Sequence, residues 1–125
     1  MDQKKIILLI EDESDIRKIY VEVLTEAGYT VKEAADGTQG IQMARNEPWD
    51  LMLLDIMLPG QDGIHVLKDL KQVEDLVEKP VLLLTNLENE TIIAECFDMG
   101  ADGYVIKSEI TPDYIVTEVK KYIQP

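Results

Sequence analysis

The chain is predicted to form one α/β domain, with a parallel five-stranded sheet held between two layers of helices. Three observations predict this. Ile6-Ile7-Leu8-Leu9-Ile10, Leu51-Met52-Leu53-Leu54 and Val81-Leu82-Leu83-Leu84 are unbroken apolar runs, too short for typical helices and suited to strands buried on both faces. Segments of helical periodicity follow them, so strand and helix alternate along the whole chain. At 125 residues, residues 1–125 suffice for one core without disulfides or a structural metal, and no repeat, low-complexity stretch or internal linker divides them.

The first strand, Ile6 to Ile10, stops at Glu11-Asp12-Glu13. Ser14 or Asp15 is expected to cap a helix whose stripe is Ile16, Ile19, Tyr20, Val23, Leu24 and Ala27, with Gly28 as its stop. Tyr29 to Ala34 reads as the second strand, closed by Asp36-Gly37 and followed by a helix using Ile41, Met43 and Ala44 before Pro48. The third strand ends in Asp55. Pro59 to Gly63 shape a turn into a helix with Ile64, Val66, Leu67 and Leu70 inward.

Pro80 to Thr85 is the fourth strand, its proline at the start where no ladder donor is lost. Leu87 to Met99 is a helix with Ile92, Ile93, Cys96 and Phe97 on its inner face, an acidic outer face and Gly100 as its stop. Gly103 to Lys107 is the fifth strand. Thr111-Pro112-Asp113 supplies an N-cap, a proline and a first-turn acid for a last helix with Ile115, Val119, Tyr122 and Ile123 inward. Right-handed crossovers between such units give a flavodoxin-like (βα)5 three-layer sandwich in strand order 2-1-3-4-5.

Twelve basic residues against 25 acidic ones leave a net charge of −13, which opposes binding to nucleic acid or to an anionic membrane. Cys96 is the single cysteine and excludes an intramolecular disulfide. The apolar runs fall far short of the roughly 20 residues of a membrane span, and the Met-Asp-Gln-Lys-Lys start lacks a signal-peptide pattern, so a cytoplasmic protein is expected.

In an open parallel sheet, ligands sit beyond the carboxyl ends of the strands, at the switch point between strands 1 and 3. Glu11, Asp12, Asp55, Thr85 and Lys107 all end strands there. Each close pair of carboxylates repels by roughly 1 to 4 kcal/mol, a penalty that a divalent cation relieves. With oxygen donors and no neighbouring His or Cys, Mg2+ suits the site. Cys96, His65 and Trp49 read as packing or surface residues rather than ligands. A cation, an ammonium, a hydroxyl and a carboxylate nucleophile together meet the requirements of phosphoryl transfer, with Asp55 as the nucleophile.

These residues resemble the receiver domains of two-component response regulators over residues 5 to 123. The carriers are Glu11-Asp12, the run from Pro48 through Asp55 to Pro59 and Gly63, Leu84-Thr85, and Gly100-Ala101-Asp102-Gly103-Tyr104 leading to Lys107. The resemblance implies a phosphorelay module in which Asp55 takes a phosphoryl group from a sensor histidine kinase, a phosphotransfer protein or a small donor such as acetyl phosphate. It implies that Asp12, Asp55 and the Met57 carbonyl ligate Mg2+, with Glu11 acting through water. Thr85 and Lys107 would hold the phosphoryl group, and Thr85 and Tyr104 would move together on phosphorylation. Output would run through protein contacts on helix 4, strand 5 and helix 5, without direct binding of nucleic acid or membrane.

Two positions depart from the family. Ser108 follows Lys107 where a proline, often cis, is usual, and a trans peptide is expected here. Asn86 follows Thr85 where a small residue is usual, which should alter the lifetime of the aspartyl phosphate. The alternative reading is a Mg2+-dependent phosphohydrolase working through phospho-Asp55, but Met57 stands where such enzymes carry a second Asp. A flavin or nucleotide carrier conflicts with Glu11-Asp12-Glu13 at the first loop. Gln124-Pro125 fits either a stand-alone regulator or the start of a linker.

Overall fold

The computed structural model describes residues 4–58, 63–86 and 90–125. The elements run β1 (Ile6–Ile10), α1 (Ser14–Glu26), β2 (Thr30–Ala34), α2 (Gly37–Asn46), β3 (Leu51–Asp55), α3 (Gly63–Leu70), β4 (Val81–Thr85), α4 (Glu90–Asp98), β5 (Gly103–Ile106), a 3-10 turn (Lys107–Glu109) and α5 (Tyr114–Lys120). All strand pairs are parallel and the order is β2-β1-β3-β4-β5, as expected from the sequence.

The apolar runs are unbroken because both faces of the sheet are covered. Leu8 and Ile10 of β1 pack with Met52, Leu54, Val66, Leu67 and Leu70 on the α2/α3/α4 side. Ile7 and Leu9, of opposite parity, pack with Leu53, Leu24, Ile115 and Val119 on the α1/α5 side. Trp49 is buried at the entrance to β3, its indole Nε1 donating to the Ala44 carbonyl and Lys79 Nζ standing 4.7 Å above its ring. No helix among the described residues is long and apolar enough to cross a membrane.

Several boundaries differ from expectation. Glu13, not Ser14 or Asp15, caps α1, and it does so without a side-chain hydrogen bond. Gly28 does stop that helix, at φ +105°, while Ile19 is exposed rather than part of the buried stripe. The α5 helix proper begins at Tyr114, because the amides of Tyr114 and Ile115 bond only three residues back, to Thr111 and Pro112. That helix ends at Lys120, so Tyr122 lies past it and is exposed, its hydroxyl donating to the Asp102 carbonyl. On α4 only Cys96 is buried, and Phe97 turns outward. Strand β5 stops at Ile106, one residue before Lys107. The peptides are trans throughout the described residues, Lys107-Ser108 included. The expected turn over Pro59 to Asp62 and the helix start at Leu87 lie outside the described residues.

Gly63 opens α3 directly under the end of β3, its amide bonded to the Ile56 carbonyl at 2.8 Å. A Cβ there would lie 2.6 Å from both the Asp55 carbonyl oxygen and Ile56 Cα, which are backbone atoms that cannot rotate away. Gly63→Ala should therefore lower stability by about 1–3 kcal/mol through overpacking, read by urea denaturation. An unchanged midpoint would show that α3 can retreat freely from Asp55.

Candidate functional site

The site lies at the carboxyl edge of the sheet. The Glu11 amide continues the ladder of β1 by bonding the Ala34 carbonyl at 3.0 Å, and this draws the Glu11 side chain inside, where it is 0% exposed. Asp12, the next residue, is exposed. Asp55 ends β3 and is buried, with the Met57 amide donating to its Oδ1 at 2.9 Å. Glu11, Asp12 and Asp55 each offer a carboxylate oxygen within 4.8 Å of the other two.

Lys107 crosses to this cluster from the end of β5. Its Nζ lies 2.7 Å from Glu11 Oε1 and 3.0 Å from Asp55 Oδ2, and its side chain is buried with theirs. Burial pushes the Glu11 carboxyl above its ordinary value; Asp55 adds to the shift and Lys107 opposes it. Burial alone would lower the Lys107 ammonium, but its two carboxylate partners outweigh that and raise it, so Lys107 stays charged. Three carboxylates against one ammonium leave a formal charge of −2, the complement of one divalent cation. With oxygen the sole donor type, the set fits Mg2+.

The other expected residues fall around this centre. Thr85 is buried at the end of β4. Asn86 is exposed and lines a cavity of about 220 Å³ with Ile16, Tyr20, Lys107 and Ser108. Met57 is exposed, and its backbone rather than its side chain meets the site. Tyr104 stands away from the carboxylates, 46% exposed, edge-on to Phe97 with ring centroids 6.0 Å apart.

Two neighbours were not anticipated. Arg17 donates from Nη1 to the Glu11 carbonyl at 2.7 Å and from Nε to Glu33 at 3.2 Å, bracing the first loop. The buried Tyr20 phenol is pushed up by burial and feels the charges of Lys107, Glu11 and Asp55. Only Tyr20's place on the apolar stripe of α1 pointed towards the sheet. Nothing in the sequence marked Arg17.

A parallel doubly wound sheet in the order 2-1-3-4-5, with an acidic cluster and a lysine at its carboxyl edge, places the chain among the flavodoxin-like α/β proteins. Residues 7–120 match the response regulator receiver domain family, and the chain belongs to it. It is 34% identical over 128 residues to the response regulator RR06 of Streptococcus pneumoniae, covering 93% of this chain and 58% of that protein. The chain spans about half the length of the curated relatives it matches, several of which are transcriptional regulators by name. Its fold is similar to that of the chemotaxis protein CheY4 of Vibrio cholerae, at TM-score 0.90 and 24% identity, covering 97% of this chain and all 100% of that one. It is also similar to the Mn2+-bound form of response regulator Rcp1, at TM-score 0.82 and 29% identity, covering 94% of this chain and 93% of that one.

The buried triad can be tested through stability. Lys107→Met leaves Glu11 and Asp55 buried without their cation and should cost about 3–5 kcal/mol. Without Lys107, the folded-state pKa of Glu11 rises further above its unfolded value. Stability should then fall as pH rises above the ordinary carboxylate range, because the unfolded chain releases that proton first. Adding Glu11→Gln should recover part of the loss. A Lys107→Met protein as stable as wild type in chemical denaturation at neutral pH would contradict the assignment.

Proposed function

We propose that the chain is a phosphorylation-switched signalling module in which Asp55 accepts a phosphoryl group from a phosphohistidine of a sensor kinase or phosphotransfer protein, or from acetyl phosphate. The observation that carries this reading is the convergence of Glu11, Asp12, Asp55 and Lys107 around one buried carboxylate. A carboxylate oxygen of Asp55 attacks phosphorus, the phosphorus–nitrogen bond breaks, and the histidine leaves with its electron pair. Asp12, Asp55 and the Met57 carbonyl would hold Mg2+, with Glu11 acting through water. Bound there, the ion would neutralise phosphoryl oxygens and relieve the mutual repulsion of the carboxylates.

Lys107 gives up part of its hold on Asp55 to take a phosphoryl oxygen. Thr85, buried one strand away, donates its hydroxyl to another, and Tyr104 follows Thr85 inward. The added dianion thereby biases a surface with two states. The output is a protein contact on α4, β5 and α5. Residues 1–125 act as one receiver unit in the cytoplasm, with self-catalysed phosphoryl transfer and slow loss of phosphate as their whole chemistry.

Incubation with acetyl phosphate and Mg2+ should label the protein once, measured by intact mass. Asp55→Asn or removal of Mg2+ should abolish the label. Multiple turnovers of a small phosphomonoester would instead favour a hydrolase. Asn86, at the rim of the cavity beside Lys107, should set the rate at which water reaches the phosphoryl group. Asn86→Ala is expected to change the dephosphorylation rate at pH 7 by a few-fold, on the order of 1 kcal/mol in barrier; identical rates would remove the idea.

A further inference from the structure

The amino edge of the sheet, at the far end of the strands from Asp55, carries the opposite charge. Lys4 and Lys5 lead into β1, Pro48, Trp49 and Asp50 into β3, and Lys79 into β4, and these residues line a cavity of about 270 Å³. Asp50 is the single carboxylate on its walls. Three ammonium groups against that carboxylate leave a formal charge of +2. A chain with 25 acidic and 12 basic residues has acids to spare, yet none of them offsets these lysines.

The frame of the cavity is fixed by the sheet. The Asp50 amide donates to the Ile6 carbonyl at 2.8 Å, and the Ile6 amide donates back to Asp50 Oδ2 at 2.7 Å, so one carboxylate oxygen is already engaged. The buried Trp49 ring is held by its Nε1 bond to Ala44. Lys79 Nζ stands 4.7 Å above that ring and donates to the Trp49 carbonyl at 2.9 Å. Both contacts place the ammonium without neutralising it, and the carbonyl takes one of its three donors. Among the described residues, Lys4, Lys5 and Lys79 form no ion pair. Glu47, beside Pro48, is taken by Lys32 at 3.3 Å.

We propose that this cavity binds a compact phosphate-bearing dianion, held by the ammonium groups of Lys4, Lys5 and Lys79. Lysine is a point-charge phosphate binder, and a doubly charged phosphate balances the +2 of the walls, which a single carboxylate would only half neutralise. A nucleic-acid strand is a poor occupant, because its phosphates beyond the cavity would face a chain of net charge −13. A small anion instead sits within the roughly 8 Å over which charges act at physiological salt, where the lysines outweigh the distant acids. The cavity also falls below the roughly 300–1,000 Å³ of pockets that enclose drug-sized ligands, which again favours a compact occupant. Strands β1 and β3, of 5 residues each, set it about 15 Å from the carboxyl edge, so it is separate from the site around Asp55.

Trp49 is the single tryptophan of the chain, and the ammonium over its ring makes its fluorescence a reporter of the cavity. The full chain is titrated with inorganic phosphate, with glycerol 3-phosphate and with succinate, at constant ionic strength and without divalent metal. Binding is read by Trp49 emission and by amide chemical shifts. Lys4→Gln/Lys5→Gln, which keeps the Lys79–Trp49 pair, is compared with Lys68→Gln/Lys120→Gln, which changes net charge equally at exposed positions elsewhere. Both phosphates should change Trp49 emission saturably and shift the amides of Ile6, Asp50 and Lys79. The cavity variant should lose at least about tenfold in affinity while the other variant binds as wild type does. Tighter binding of the ester would assign the site to a phosphorylated small molecule, and equal or tighter binding of inorganic phosphate would assign it to the free ion. Succinate, whose two charges lie apart, should bind more weakly than either. No saturable change, equal losses in the two variants, succinate binding as tight as phosphate, or shifts centred on Asp55 would overturn the proposal.

Discussion

The carboxyl edge of this sheet depends on the buried contacts of Lys107 with Glu11 and Asp55. Adjacent strands lie about 4.8 Å apart, and β5 is separated from β1 by both β4 and β3, a distance no lysine spans within the plane of the sheet. The contact forms because Glu11 and Lys107 lie just past the ends of their strands, where the chain folds over the sheet edge. In between, β4 ends in the small Thr85. The 3-10 turn at Lys107–Glu109 begins at the lysine itself. The length of the lysine and its position past β5 are jointly required, and loss of either would unpair a buried charge.

Such a charge cluster is tolerable because its surroundings are complete. Among the described residues, no buried side-chain nitrogen or oxygen lacks a partner. Arg17 ties the loop after β1 to β2 through Glu33, and the Met57 amide fixes the orientation of the Asp55 carboxylate. The two apolar cores lie on opposite faces of the sheet, and neither includes the carboxylates. Chemistry at the edge can therefore change charge without repacking either core.

The architecture was legible because burial on both faces leaves unbroken apolar runs, and the end of each run locates the residues that reach the edge. Asp55 and Lys107 were found in that way. The inside–outside choice between Glu11 and Asp12 was not legible, since strand parity stops where the strand does. It was settled by one ladder bond, Glu11 to Ala34, that no local pattern announces. Phe97 and Tyr122 read as inward by periodicity and are exposed. Tyr122 lies past the end of α5, where position on the chain no longer fixes the face, whereas Phe97 lies within α4 and turns outward beside Tyr104. Thr111 and Pro112 carried start signals, but three-residue bonds delayed α5 to Tyr114.

Helix α4 is held more lightly than α3. One of its nine residues is buried, Cys96, whereas α3 buries Gly63, Val66, Leu67 and Leu70 out of eight. Elements with little buried area open at low free energy, so a small local change displaces them before it disturbs the cores. The ring of Tyr104 leans edge-on against Phe97 of this helix, a contact worth about 0.5–1.5 kcal/mol. A charge-assisted hydrogen bond contributes about 1.5–3 kcal/mol, so one or two new bonds to a phosphoryl group, on the proposal that Asp55 accepts one, would match or exceed that hold. An aromatic packed into the core would need several times more to move. Helix α4 carries apolar residues but buries Cys96 alone, and that light attachment, with the exposure of Tyr104, would put the surface within reach of a single added dianion.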